Sequence, residues 1–127
     1  LRSMQAALSW DWETYPQFLD TLDRLPKGVN ILPYVPMNPL LNYVMGIDAA
    51  KSGRMPTEAE HAQMRHILNE AMDAGAHGWS AQRLLPEGPS SVQRDFDGSP
   101  MNTDIMHDET CLEMARVLGA RGDGFQG

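Results

Sequence analysis

The sequence predicts an α/β fold in which short strands alternate with helices, and three observations predict it. Apolar residues recur at helical spacing in three segments, residues 12–25, 57–74 and 108–118. Two short segments typical of strands, residues 29–35 and 76–81, lie between them. Pro and Gly, which number 9 and 11, cluster between the segments. This alternation favours parallel pairing of the strands, with the helices packed outside the sheet.

The first helix is predicted over residues 12–25. Thr14 is a candidate N-cap, and Pro16 falls in the first turn, where its missing amide costs least. The apolar residues at helical spacing are Phe18, Leu19, Leu22 and Leu25. The neighbouring aromatic residues would either form a binding surface or anchor the helix to a core; they are Trp10, Trp12 and Tyr15.

A first strand is predicted over residues 29–35, although Pro33 would remove one donor from its hydrogen-bond ladder. Residues 36–56 are predicted to form a long loop with one helical turn at residues 40–44.

The longest helix is predicted over residues 57–74. Thr57 and Glu60 have the spacing of a capping box, and Gly75 supplies a stop at the carboxyl end. One face is apolar and consists of Met64, Ile67, Leu68, Ala71, Met72 and Ala74.

A second strand is predicted over residues 76–81. Residues 83–107 lack periodicity and are predicted to form a long loop. The last helix covers residues 108–118, with Asp108 as its cap, and its predicted buried residues are Leu112, Ala115, Val117 and Leu118. Residues 123–127 are predicted to lack regular structure.

The spacing between the two predicted strands suits one unit of a (β/α) barrel. A complete barrel needs roughly 200 residues or more, and two strands cannot close one. We therefore expect a partial (β/α)8 TIM barrel of about two to three strand–helix units, with residues 1–127 forming an internal segment of a barrel domain.

Composition excludes several classes of protein. The net charge of −7 argues against nucleic-acid and anionic-membrane partners, because the chain offers no basic patch. The sequence shows no apolar run long enough to span a membrane, and residues 1–8 lack the features of a signal peptide. A single cysteine excludes an internal disulfide framework and a cysteine-rich zinc site. We expect a cytoplasmic protein and leave homo-oligomerisation open.

The histidines and the cysteine do not form a recognisable metal or catalytic motif. His61 and His66 are five residues apart on one helix and are predicted to be solvated. His77, in the second predicted strand, has either a core or a catalytic role, and His107 is predicted to be a local cap partner beside the last helix. Cys111 is predicted to be an inert thiol.

Several stretches occur in an order that matches a known family. They read SWDWETYPQFLD at residues 9–20, VMG at 44–46, PTE at 56–58 and GAHGWS at 75–80. Together they resemble the N-acyl-D-amino-acid deacylase (D-aminoacylase) branch of the amidohydrolase superfamily.

This resemblance implies a metal-dependent (β/α)8 hydrolase of several hundred residues that cleaves an amide or cyclic amide C–N bond. Zinc is the implied cofactor, and its ligands and the catalytic aspartate are expected outside this chain. The chain itself is then expected to contain no metal ligand and no catalytic residue, and to be inactive alone. Its expected partners are a small-molecule amide substrate and the remainder of the same polypeptide.

The resemblance implies a substrate-binding role for residues that follow the two predicted strands. They are Met37, Asn38, Ser80, Gln82 and Arg83. Met37 and Leu41 stand where the family has a histidine and an arginine, which predicts a more apolar pocket and a different substrate.

Arg83 has two interpretations. It is predicted either to bind a substrate carboxylate through charge-assisted hydrogen bonds or to pair with Glu87 or Asp95 in the following loop. Two alternatives to the hydrolase also stay open: a non-catalytic α/β protein-interaction module and an unrelated TIM-barrel enzyme.

Overall fold

The computed structural model describes residues 9–84, 94–95 and 97–127. The chain forms two compact units, Leu1–Ile31 and Leu32–Gly127. No helix in these described ranges combines the length and the apolar composition needed to cross a membrane.

The first unit contains helix α1 (Tyr15–Arg24). Its predicted cap is confirmed: Thr14 Oγ1 accepts a hydrogen bond from the Gln17 amide, and the Gln17 side chain accepts one from the Thr14 amide. The rings of Trp10 and Trp12 stack with their centroids 5.2 Å apart. The start of this helix is therefore fixed by its own side chains.

The second unit is built on a parallel sheet of three short strands that lie side by side in sequence order. The strands are β1 (Val35–Pro36), β2 (Gly78–Ser80) and β3 (Phe125–Gln126). Val35 lies opposite Trp79, and both are buried. The parallel pairing predicted for the first two strands is confirmed.

β1 begins later than the sequence predicts. Residues 29–34 are not strand, and Val29 and Leu32 are exposed. Pro33 contributes to the difference, since it has no amide to donate to a neighbouring strand. The Pro33 carbonyl still accepts a hydrogen bond from the His77 amide at 2.8 Å.

β3 corrects the expectation that residues 123–127 lack regular structure. The Phe125 amide donates to the His77 carbonyl at 2.9 Å, and the Gly127 amide donates to the Trp79 carbonyl at 3.0 Å. A strand of two residues gives too little periodicity to be detected in the sequence.

Two helices occupy the segment predicted as a loop at residues 36–56. They are α2 (Met37–Met45) and α3 (Ile47–Lys51), and Gly46 separates them with a φ of +82°. The buried residues of α2 are Met37, Leu40 and Leu41.

Helix α4 (Glu58–Asp73) confirms the longest predicted helix. Thr57 Oγ1 accepts a hydrogen bond from the Glu60 amide, and the Glu60 side chain accepts one from the Thr57 amide. Gly75 lies just beyond the helix with a φ of +111°. Four of the predicted apolar residues are buried: Met64, Leu68, Ala71 and Met72.

The last helix is longer than predicted, and its buried face differs. Helix α6 (Asp108–Arg121) is preceded by His107 as its N-cap, so Asp108 is its first residue and not its cap. Its buried residues are Thr110, Met114, Val117 and Leu118, whereas Leu112 is 50% exposed. A short helix, α5 (Asn102–Ile105), also interrupts the predicted loop.

His61 joins α4 to α6. Its side chain is only 5% exposed, and its Nε2 atom lies 3.2 Å from Thr110 Oγ1. The prediction of a solvated His61 is wrong, because the buried hydroxyl on the facing helix offers the ring a partner. Arg65 also contacts Glu113 between the two helices.

Candidate functional site

The carboxyl ends of the three parallel strands lie at the same edge of the sheet. In α/β proteins with parallel sheets, ligands bind beyond this edge. The five predicted site residues all lie at or just after the ends of β1 and β2: Met37, Asn38, Ser80, Gln82 and Arg83. This edge is therefore the candidate functional site.

The predicted site residues differ in burial. The Met37 side chain is 1% exposed and belongs to the core, as does Leu41. Asn38 and Ser80 are half-buried, and Gln82 is exposed. The buried Asn38 Oδ1 has no hydrogen-bond partner among the described residues. A role for these side chains in substrate binding stays a prediction.

Tyr34 and Gly127 contribute to the same edge. A Cβ built on Gly127 would lie 3.9 Å from the Tyr34 ring and 4.0 Å from Ser80 Cβ. The Ala81 amide donates to the Gly127 carbonyl at 2.9 Å. Neither Tyr34 nor Gly127 is predicted as a site residue from the sequence. A signal for Tyr34 exists, because successive side chains of a strand point to opposite faces and Tyr34 precedes the apolar Val35.

The Arg83 guanidinium binds groups of the chain itself. Its Nη1 donates to Asp108 Oδ1 at 2.6 Å, its Nε donates to the Thr103 carbonyl at 3.1 Å and its Nη2 donates to the Met106 carbonyl at 2.9 Å. The hydrogen bond that Arg83 donates to Asp108 is the main cause of the raised pKa of Arg83. The contacts hold the segment after β2 to the start of α6.

The carboxylate that pairs with Arg83 is thus not the predicted Asp95. Asp95 Oδ2 lies 2.8 Å from Lys51 Nζ instead. Glu87, the other predicted partner, lies outside the described residues.

His77 lies immediately before β2. Its ring stacks on Phe125 with centroids 5.9 Å apart and meets Tyr34 edge-on at 6.4 Å. His77 is half-buried and Phe125 is 63% exposed, so this packing does not place His77 in the core, and both of its interpretations stay predictions.

The remaining predicted polar candidates are spread over the second unit. His107 is the N-cap residue of α6, but its side chain makes no capping hydrogen bond, and its Nε2 lies 2.9 Å from the Gly53 carbonyl oxygen instead. His66 is exposed, as predicted. Cys111 is half-buried, and burial raises the pKa of its thiol, which favours the unreactive form. The described residues contain no group of three His, Cys, Asp or Glu side chains that could hold a metal ion.

Comparison with known proteins gives partial matches. No family model matches the chain, and no solved structure matches it significantly. The chain is 38% identical over 73 residues to an N-acyl-D-aspartate deacylase of Alcaligenes xylosoxydans xylosoxydans, which is 58% of the chain and 14% of that protein. It is 37% identical over 70 residues to uncharacterized proteins of Mycobacterium tuberculosis and Mycobacterium bovis, which is 54% of the chain and 12% of each of those proteins. The chain is therefore similar to a short part of much longer proteins, one of which is a deacylase.

Proposed function

We propose that this chain is a segment of a metal-dependent amidohydrolase that cleaves an amide or cyclic amide C–N bond. The similarity to part of an N-acyl-D-aspartate deacylase carries the proposal. The motifs at residues 9–20 and 75–80, which resemble the N-acyl-D-amino-acid deacylase family, support it.

The proposed fold is a partial (β/α)8 barrel, with residues 1–127 as one internal segment. Two observations support it: the three strands are all parallel, and they are neighbours in sequence order. A barrel has this arrangement throughout, whereas a doubly wound open sheet reverses its strand order at one point. The remainder of the polypeptide would supply the other strands.

The described residues do not fit a zinc site, because no three potential ligands lie close together. In this proposal the zinc ligands and the catalytic base belong to other parts of the polypeptide.

The proposed contribution of the chain is to shape and position the substrate. Ser80 and Asn38 place a hydroxyl and an amide at the ends of two neighbouring strands, and Gln82 adds an exposed amide. Such neutral donors and acceptors orient an amide substrate by hydrogen bonds and add no charged group to the site. The buried, unpaired Asn38 Oδ1 can accept a hydrogen bond from a substrate amide once the side chain turns outward.

The test is an assay of amide hydrolysis by the longer polypeptide that carries this chain, produced with zinc. Hydrolysis is followed as amine release for the open-chain amides and as ring opening for the cyclic amide. N-acetyl-D-aspartate, N-acetyl-D-methionine and the two L enantiomers are suitable substrates, with dihydrouracil as a cyclic amide. We expect hydrolysis of at least one amide and loss of that activity with a chelator, restored by zinc. The 127-residue chain alone is the inactive control.

Absence of hydrolysis of every amide by the zinc-loaded protein would contradict the proposal. Ser80→Ala tests the site itself in an active protein. We expect a higher KM with kcat nearly unchanged if the hydroxyl binds substrate equally in the ground and transition states.

A further inference from the structure

Two adjacent residues after β2 bind one short segment of the chain, residues 103–108. Arg83 donates to the Thr103 carbonyl, the Met106 carbonyl and the Asp108 carboxylate. The Leu84 amide donates to Asp104 Oδ1 at 2.7 Å. These four contacts of Arg83 and Leu84 with residues 103–108 form a clamp. They join positions 20 to 25 residues apart in the sequence.

The chemistry of this clamp explains why an arginine occupies position 83. α5 ends at Ile105, and carbonyls in the last turn of a helix lack partners within the helix. The planar guanidinium reaches two such carbonyls, of Thr103 and Met106, and a carboxylate at once. Asp104, which is buried, is satisfied by the Leu84 amide.

The clamp also fixes the carboxyl end of β2. On one side, the Ala81 amide is bound to the Gly127 carbonyl after β3. On the other side, Arg83 and Leu84 are bound to the segment around α5. The backbone that follows Ser80 is therefore held from two directions.

We propose that Arg83 is a positioning residue, which fixes Ser80 and Gln82 at the candidate site by clamping the end of β2 to residues 103–108. The positioning role rests on the hydrolase function proposed above, whereas the clamp does not. Asp108 already neutralises the guanidinium, so a substrate carboxylate would have to displace an existing ion pair at 2.6 Å. In this proposal Arg83 does not bind a substrate carboxylate, which is one of its two interpretations from the sequence.

The experiment compares Arg83→Ala, Arg83→Lys and Arg116→Ala in the longer polypeptide that carries this chain. Arg116 is the matched control, because it also lies in ion pairs, with Glu109 and Glu113, but at an exposed position on α6. The readouts are hydrogen exchange of the Ala81 and Leu84 amides and the separate kcat and KM for the best amide substrate.

For Arg83→Ala we expect amide exchange at Leu84 and Ala81 to become about ten- to hundredfold faster, as loss of a charge-assisted hydrogen bond allows. We expect kcat to fall by a similar factor, with a smaller change in KM, because misplaced site residues affect the transition state most. Arg83→Lys should recover part of each change, and Arg116→Ala should match the unmodified protein.

Unchanged exchange in Arg83→Ala would overturn the clamp, whatever the activity. Faster exchange together with a raised KM and an unchanged kcat would overturn the positioning role and return Arg83 to substrate binding. If the unmodified protein hydrolyses no amide, the proposed hydrolase function fails, and hydrogen exchange still decides the clamp.

Discussion

Gly78 lies directly against the backbone of Phe125 on the neighbouring strand. A Cβ built on Gly78 would be 1.7 Å from the Phe125 carbonyl oxygen, and the φ of Gly78 is +140°. Any side chain at this position would therefore push β3 away from β2 and would also strain the backbone. The pairing of these two strands depends on the absence of a side chain at residue 78.

Substitution of Gly78 by Ala is expected to destabilise the protein by more than about 2 kcal/mol, because the Phe125 backbone must move. Chemical denaturation of the two variants measures the effect. Gly119→Ala is the matched control: Gly119 lies within α6 with open space around it. That substitution should stabilise the protein by about 0.5–1 kcal/mol. Equal stability of the two variants would show that Phe125 does not pack on Gly78.

Glu60 is expected to make stability depend on pH in the acid range. Hydrogen bonds from Arg54 and the Thr57 amide lower the pKa of Glu60 from 4.5 to about 2. A lowered folded-state pKa stabilises the protein above the unfolded value, and this contribution disappears as the pH falls from about 4.5 to about 2.

Thermal unfolding between pH 6 and pH 2 of the protein and its Glu60→Gln variant measures this contribution. The variant should lose less stability over the same range, because its side chain cannot be protonated. Glu70→Gln provides the control, because it removes an exposed carboxylate from the same helix and leaves the ion pair of Arg54 with Glu60 in place. Parallel profiles for the protein and Glu60→Gln would contradict the role of the ion pair.

Thr110→Val is expected to destabilise the protein by about 1–3 kcal/mol. Valine has nearly the shape of threonine, but it leaves the buried His61 Nε2 without its partner at 3.2 Å. Removing both polar groups in His61→Leu/Thr110→Val should recover part of the loss. A double-mutant cycle from denaturation curves measures the coupling between them. Additive effects would show that the two side chains do not interact.

Leu68 and Leu112 are expected to respond differently to the same substitution. Leu68→Ala removes a fully buried side chain from α4 and should cost about 2–5 kcal/mol. Leu112→Ala removes an exposed side chain from α6 and should change stability by less than about 0.5 kcal/mol. A large effect at Leu112 would show that Leu112 is buried, as the sequence predicts for this helix.

The elements that the sequence predicts correctly have local causes. α1 is identified by its N-cap Thr14 and α4 by a capping box, each together with apolar periodicity, and these signals act within one helix. The central strand β2 follows from its position after the Gly75 stop. Thr57 illustrates the point, because its capping partner Glu60 is three residues away.

The elements that the sequence misses depend on distant contacts. β3 exists because Phe125 and Gly127 bind a strand far earlier in the chain. The buried face of α6 follows from the contact of Thr110 with His61, which is 49 residues away. The true partner of Arg83 is likewise 25 residues distant, and no local pattern indicates it.

Oxidation of the core methionines reports whether the protein is folded. Met37, Met64 and Met114 are at most 1% exposed, whereas Met55 is 44% exposed. Peroxide converts an accessible thioether to a sulfoxide, whereas sulfur atoms buried in a packed core are inaccessible to the reagent. Met55 should therefore oxidise first, and sulfoxide at the three inner positions, measured by mass spectrometry of peptides, should follow the fraction of molecules that open.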